Sequence, residues 1–137
     1  MEELIEARGH GNVRATHGST LEVTTDDWLT PAGDCIVGVA ADRAPADFDD
    51  RFVAACRDAD TRIEVRLVAD GRRETVRARG DPALTFGSAR SAVVRTSGYV
   101  DDRTVAVGAD AAAADLDREF VAALADGADL TATLAVG

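Results

Sequence analysis

The groups in this chain best suited to acid–base or metal chemistry are few: His10, His17, Cys35 and Cys56. Histidine is the one side chain whose ordinary pKa lies close to neutrality, so a general base would come from His10 or His17. Both lie in the most polar stretch of the sequence, residues 9–39. Read as an extended strand, residues 9–25 divide by parity. Even positions carry His10, Asn12, Arg14, Thr16, Thr20 and Glu22, while odd positions carry Val13, Ala15, His17, Leu21 and Val23. A face of imidazole, amide, hydroxyl and carboxylate groups suits a small polar ligand. The expected binding set is His10, Asn12, Thr16, His17, Thr20 and Glu22. The plainer alternative is a solvated sheet face, since threonine favours strands in any case.

A divalent metal ion is the second chemistry this segment suggests. His10, His17, Asp34 and Cys35 offer the imidazole, carboxylate and thiolate donors that transition metals favour. A regular strand points residues 10 and 17 to opposite faces, so this set requires a bend, which Gly11 or Gly18 would supply. Without the bend, His17 becomes a satisfied core residue. Trp28, the only tryptophan, reads as an apolar plug at a sheet end. Other templates are absent. There is no Gly-x-Ser-x-Gly elbow and no lysine-bearing phosphate loop.

Arginine supplies a second cluster. All 15 basic residues are arginine, and seven of them lie between Arg57 and Arg79. Arg62, Arg66, Arg73, Arg77 and Arg79 would share one face of a hairpin, an arrangement that suits phosphate groups or RNA. Cross-strand ion pairs on a solvated hairpin explain the same residues more simply. The net charge of −10 argues against nucleic acid as the main partner.

The elements that must position these groups follow from periodicity. Ile63, Val65 and Leu67 alternate with charged residues, and Asp70-Gly71 is a two-residue hairpin turn. That turn sets Val65 opposite Val76, Ile63 opposite Ala78, and Glu64 opposite Arg77. Phe48, Phe52, Ala55 and Cys56 fall at helical spacing behind Asp47, as do Leu116, Phe120, Ala123 and Leu124 behind Asp115. Residues 35–40, 93–94, 105–107 and 130–136 read as further strands. The prediction is about eight strands and two short helices, a mainly β (α+β) domain of antiparallel sheets packed like a sandwich.

The chain also resembles itself. Residues 37–58 and 105–126 are identical at 13 of 22 positions, and Phe52, Val53 and four aspartates are among the matches. Ala7-Arg8-Gly9 recurs as Ala78-Arg79-Gly80, and residues 16–19 resemble residues 85–88, which sets His17 against Phe86. One domain spanning 1–137, built from two repeats, 1–68 and 69–137, is expected. The second repeat lacks both histidines, so any site is asymmetric.

Composition bounds the setting. Aromatic residues are 4% of the chain and there is no lysine, so the core is built from small side chains under an acidic surface. Molar salt, with a Debye length of about 3 Å, relieves the self-repulsion of such a surface. A halophile's cytoplasm is the expected location. No segment is apolar enough to span a membrane as a helix, and no signal peptide is evident. The run Gly9-His10-Gly11-Asn12-Val13, with Thr16-His17, Thr20-Leu21-Glu22-Val23-Thr24, Leu29-Thr30 and Gly33-Asp34-Cys35-Ile36-Val37-Gly38-Val39, resembles the archaeal domain-of-unknown-function family numbered 371. That resemblance implies an archaeal cytosolic protein with a β-sandwich-like domain, and no activity. The favoured reading is a small-ligand or metal-binding module using residues 9–39. The alternatives are a small enzyme with a histidine base, and an RNA-associated protein using the arginine hairpin. Homo-oligomers are a further expectation for duplicated sheets.

Overall fold

The computed structural model describes residues 1–137. In chain order the elements are β1 (Glu2–Arg8), β2 (Thr20–Thr24), β3 (Ile36–Gly38), α1 (Asp50–Cys56), β4 (Arg62–Ala69), β5 (Arg72–Arg79), β6 (Ser91–Arg95), β7 (Thr104–Ala106), α2 (Arg118–Ala125) and β8 (Asp129–Val136). A single turn of 3-10 helix precedes each α-helix, at Pro45–Asp47 and Ala113–Asp115. The two halves of the chain pass through the same succession of elements.

Alternation decides the first sheet, whose strand order is β1-β8-β4-β5, antiparallel throughout. On β4, Ile63, Val65, Leu67 and Ala69 are buried while the intervening residues are exposed or half-buried. The hairpin has the register read from the sequence, with Val65 opposite Val76, Ile63 opposite Ala78 and Glu64 opposite Arg77. Asp70 and Gly71 take φ of 52° and 71°, as a tight turn matched to strand twist demands.

The second sheet, β3-β2-β6-β7, has an antiparallel centre but parallel outer pairs, β2 with β3 and β6 with β7. The antiparallel expectation therefore holds for the first sheet and for the central pair of the second. The inner faces of the two sheets share one core. Phe48, Phe52 and Phe86 form an aromatic cluster within it, with centroids 5.7–6.4 Å apart and Phe52 edge-on to both of the others. Cys56 is fully buried there, and burial pushes its thiol up to about 12.

Each helix begins two residues later than the sequence suggests. Asp49 caps α1 and Asp117 caps α2, each accepting backbone N–H groups of the first turn. Asp47 and Asp115 instead close the 3-10 turns by accepting from Ala44 and Ala112.

The recurring Ala-Arg-Gly sequence has a steric cause. A Cβ on Gly9 would lie 1.9 Å from the carbonyl oxygen of Leu124, at the end of α2. A Cβ on Gly80 would lie 2.1 Å from the carbonyl oxygen of Cys56, at the end of α1. Only glycine permits these crossings, in which the first strand of each half runs under the other half's helix. Both free strand edges are also closed alike. Val39 and Asp42 bond to Arg8 and Glu6 on β1, and Val107 and Asp110 bond to Arg79 and Arg77 on β5. No helix is long and apolar enough to cross a membrane.

Candidate functional site

The polar stretch is not one strand. Only Thr20–Thr24 pairs, and residues 9–19 form turns and irregular chain. His10 closes the first of these turns, its Nδ1 accepting the Asn12 N–H at 3.0 Å. The Asn12 amide donates to the Leu29 carbonyl at 2.8 Å and so holds the 26–33 loop. Thr16 is exposed, and the carbonyl of Asp34 accepts the backbone N–H groups of Thr16 and His17.

His17 is half-buried rather than a core residue. Its Nδ1 accepts the backbone N–H of Ser19 at 3.2 Å and of Thr20 at 3.1 Å. In the second half, Ser88 Oγ accepts the N–H groups of Arg90 and Ser91 in the same way. Hydrogen bonding therefore matches His17 with Ser88, not with Phe86, which sits in the core. His10, His17, Asp34 and Cys35 do not converge, and no group of three or more His, Cys, Asp or Glu side chains is arranged to hold a metal ion. The glycines that were to bring the histidines together instead serve local turns that turn each imidazole to its own backbone.

What does converge is a polar layer on the outer face of the second sheet. Parity on β2 points Leu21 and Val23 inward, and Thr20, Glu22 and Thr24 outward. Yet Glu22 and Thr24 are buried, because the loops before β3 and β7 fold over them. The antiparallel register places Thr20 opposite Arg95, Glu22 opposite Val93 and Thr24 opposite Ser91. Around Glu22 stands a chain of polar contacts. Thr20 Oγ1 lies 2.9 Å from His17 Nδ1, and the Cys35 thiol donates to Glu22 Oε1 at 3.6 Å. Burial, then the Glu22 charge, push the Cys35 thiol up to about 11. It is therefore held as the thiol, a hydrogen-bond donor to Glu22. Arg103 reaches Glu22 only at 3.9 Å.

A second carboxylate on this face is treated very differently. Asp101 accepts from the Arg103 N–H, from Thr104 Oγ1, and from the guanidinium groups of Arg95 and Arg103, all at 3.0–3.4 Å. Burial opposes its ionisation. The bonds from Thr104 and Arg103 and the Arg95 charge outweigh that and hold the carboxyl at about 2. Arg95 is itself buried, donates to Thr104 Oγ1 at 2.8 Å and lies under the Tyr99 ring.

A pocket of about 290 Å³ opens between these loops. Glu22 and Ser91 line it from the sheet, with Leu29 and Ile36 as its apolar wall. Trp28 and the Asp26–Arg90 pair complete the lining. Arg90 grips Asp26 through Nε and Nη2, the shortest contact being 2.6 Å. Trp28 does not plug the core; 57% of its surface is exposed. Of the expected ligand set, the structure joins His17, Thr20 and Glu22 in one contact chain, and only Glu22 lines the pocket. Arg90, Arg103 and Ser91 come from the second half and went unseen in the sequence. Their only signal there is a cluster of charge around residues 90–103.

Arg62, Arg66, Arg77 and Arg79 line an open cleft on the outer side of the first sheet, and Arg73 lies outside it.

A family model described as a domain of unknown function, DUF371, matches residues 5–137. An uncharacterized protein of Methanocaldococcus jannaschii is 39% identical over 130 residues, covering 95% of this chain and 96% of its own length. The chain belongs to the DUF371 family.

Proposed function

We propose that this protein binds a small polar molecule in the pocket over β2 and β6. Its ligand presents a hydrogen-bond donor to Glu22 and a flat or apolar face to Trp28. The observation that carries this reading is Glu22 itself. It is 8% exposed, yet its nearest protein partners are a thiol at 3.6 Å and a guanidinium at 3.9 Å. A largely buried carboxylate whose one side-chain hydrogen bond comes from a thiol keeps acceptor capacity for a donor arriving in the pocket. Exposed tryptophan beside such a group is an economical surface for stacking. A histidine general base has less support, since both imidazoles spend Nδ1 on backbone N–H groups.

The test uses the only tryptophan as reporter. A panel of small amines, amides, sugars and nucleosides is screened by melting temperature and Trp28 emission. A binder should raise the melting temperature of the wild type and fail to do so for Glu22→Gln. A binder whose effect survives Glu22→Gln would overturn the assignment.

Two further readings accompany it. One is a single domain of two like units, 1–68 and 69–137, supported by the matched crossings at Gly9 and Gly80 and by the matched roles of His17 and Ser88. The other is a salty cytoplasm, supported by the net charge of −10 and the absence of lysine.

A further inference from the structure

We propose that the cleft on the outer side of the first sheet is a site for a compact polyanion, a phosphate-bearing small molecule. The cleft has a volume of about 670 Å³ and is lined by Arg62, Arg66, Arg77 and Arg79, with Glu2 and Glu64 the only acidic side chains. Four arginines less two glutamates leave a side-chain charge of +2 there, in a chain whose total is −10. The pairing makes this more than a surface average. Arg62 and Arg79 stand directly opposite each other on β4 and β5, and like charges in that position repel. Arg66 is neutralised by Glu2 and Glu64, at 2.9 and 2.8 Å. Arg79 has only Asp81, at 3.9 Å. Arg62 and Arg77 have no carboxylate within ion-pair distance, although this protein has ten more acidic than basic residues. Glu64 faces Arg77 across the strands, yet it bonds Arg66 instead.

Unspent guanidinium groups grouped on two rigid strands are what bidentate recognition of phosphate oxygens needs. The volume suits a small molecule. The surroundings argue for a compact ligand over a polymer. Glu6 and Asp129 lie on the same sheet, and Asp81 and Asp110 flank the β5 side. An extended phosphate backbone leaving the cleft past the β5 edge would meet these carboxylates.

The test is calorimetric titration of the full-length protein with tripolyphosphate at low and at high salt. Binding should weaken with salt. Removing two donors with Arg62→Gln and Arg77→Gln together should weaken it by at least about tenfold. Arg73→Gln, outside the cleft, should change it by less than about twofold. All these residues are exposed, and an unchanged melting temperature shows that each variant is folded. No heat with tripolyphosphate at low salt overturns the proposal. So does binding that the double substitution leaves intact. A single-stranded RNA oligomer that binds more tightly than tripolyphosphate, and loses affinity with Arg73→Gln as well, would replace the site with a nucleic-acid surface.

Discussion

The two halves of the chain match where the fold is closed and part where the pocket is made. At the crossings they agree contact for contact. Gly9 and Gly80 pass under the ends of α2 and α1. Glu3 and Glu74 accept the N–H groups of Asp49 and Asp117, and Asp42 and Asp110 tie the free edges of β1 and β5. On the outer face of the second sheet the agreement ends. Glu22 faces Val93 across the central pair. The last residue of β2 is Thr24, while the last of β6 is Arg95. Cys35 stands before β3, and Arg103 stands before β7. Shared positions serve closure, which both halves need. Unshared positions build one asymmetric layer, in which Asp101 is saturated with donors and Glu22 is not. Stability and ligand binding should therefore separate under mutation.

The largest effects should fall on the shared positions. Gly9→Ala and Gly80→Ala should each cost about 3 kcal/mol or more in urea unfolding, because the new Cβ overlaps backbone that cannot move aside. A large loss at one glycine and none at the other would break the equivalence of the crossings. Asp101→Asn should come next, at about 2 kcal/mol, since it strands the buried Arg95.

The same carboxyl gives a pH signature. Its pKa is depressed in the folded state, from 3.8 to about 2. The stability it contributes is thus complete above pH 4 and lost as pH falls toward 2. Asp101→Asn should flatten that part of the acid denaturation curve. A smaller change sharpens the comparison from the other side. Ala40 holds a φ of 53°, where the matching position is Gly108 with a φ of 61°. Ala40→Gly should relieve strain and stabilise the protein by about 1 kcal/mol.

The first sheet was more legible in the sequence than the second, for a physical reason. The β4–β5 hairpin is local: Asp70-Gly71 fixes the turn, and alternation on each side fixes the register. The outer face of the second sheet is decided by chain far away. Parity on residues 20–24 groups Thr20, Glu22 and Thr24 on one face, but nothing nearby reveals that loops 25–35 and 96–103 bury Glu22 and Thr24. Trp28 reads as core because it is large and apolar. In the structure its neighbour Leu29 is buried instead, and Trp28 lines the pocket from outside. The strand β1 escaped notice since Leu4 and Ile5, adjacent in sequence, take opposite faces, and Glu3 shares the inward face with Ile5. Arg90 and Arg103 come to the same pocket as Glu22 only through the pairing of β2 with β6, a contact between residues about seventy positions apart that no local pattern encodes.

Whether Glu22 serves a ligand or the fold is decided by the unfolding free energy of Glu22→Gln. A carboxylate held without close donors contributes little to the protein that holds it. If Glu22 serves a ligand, the variant is within about 0.5 kcal/mol of the wild type, or more stable. A loss of about 2 kcal/mol, comparable with Asp101→Asn, would contradict it and make Glu22 a structural tie between β2, Cys35 and Arg103.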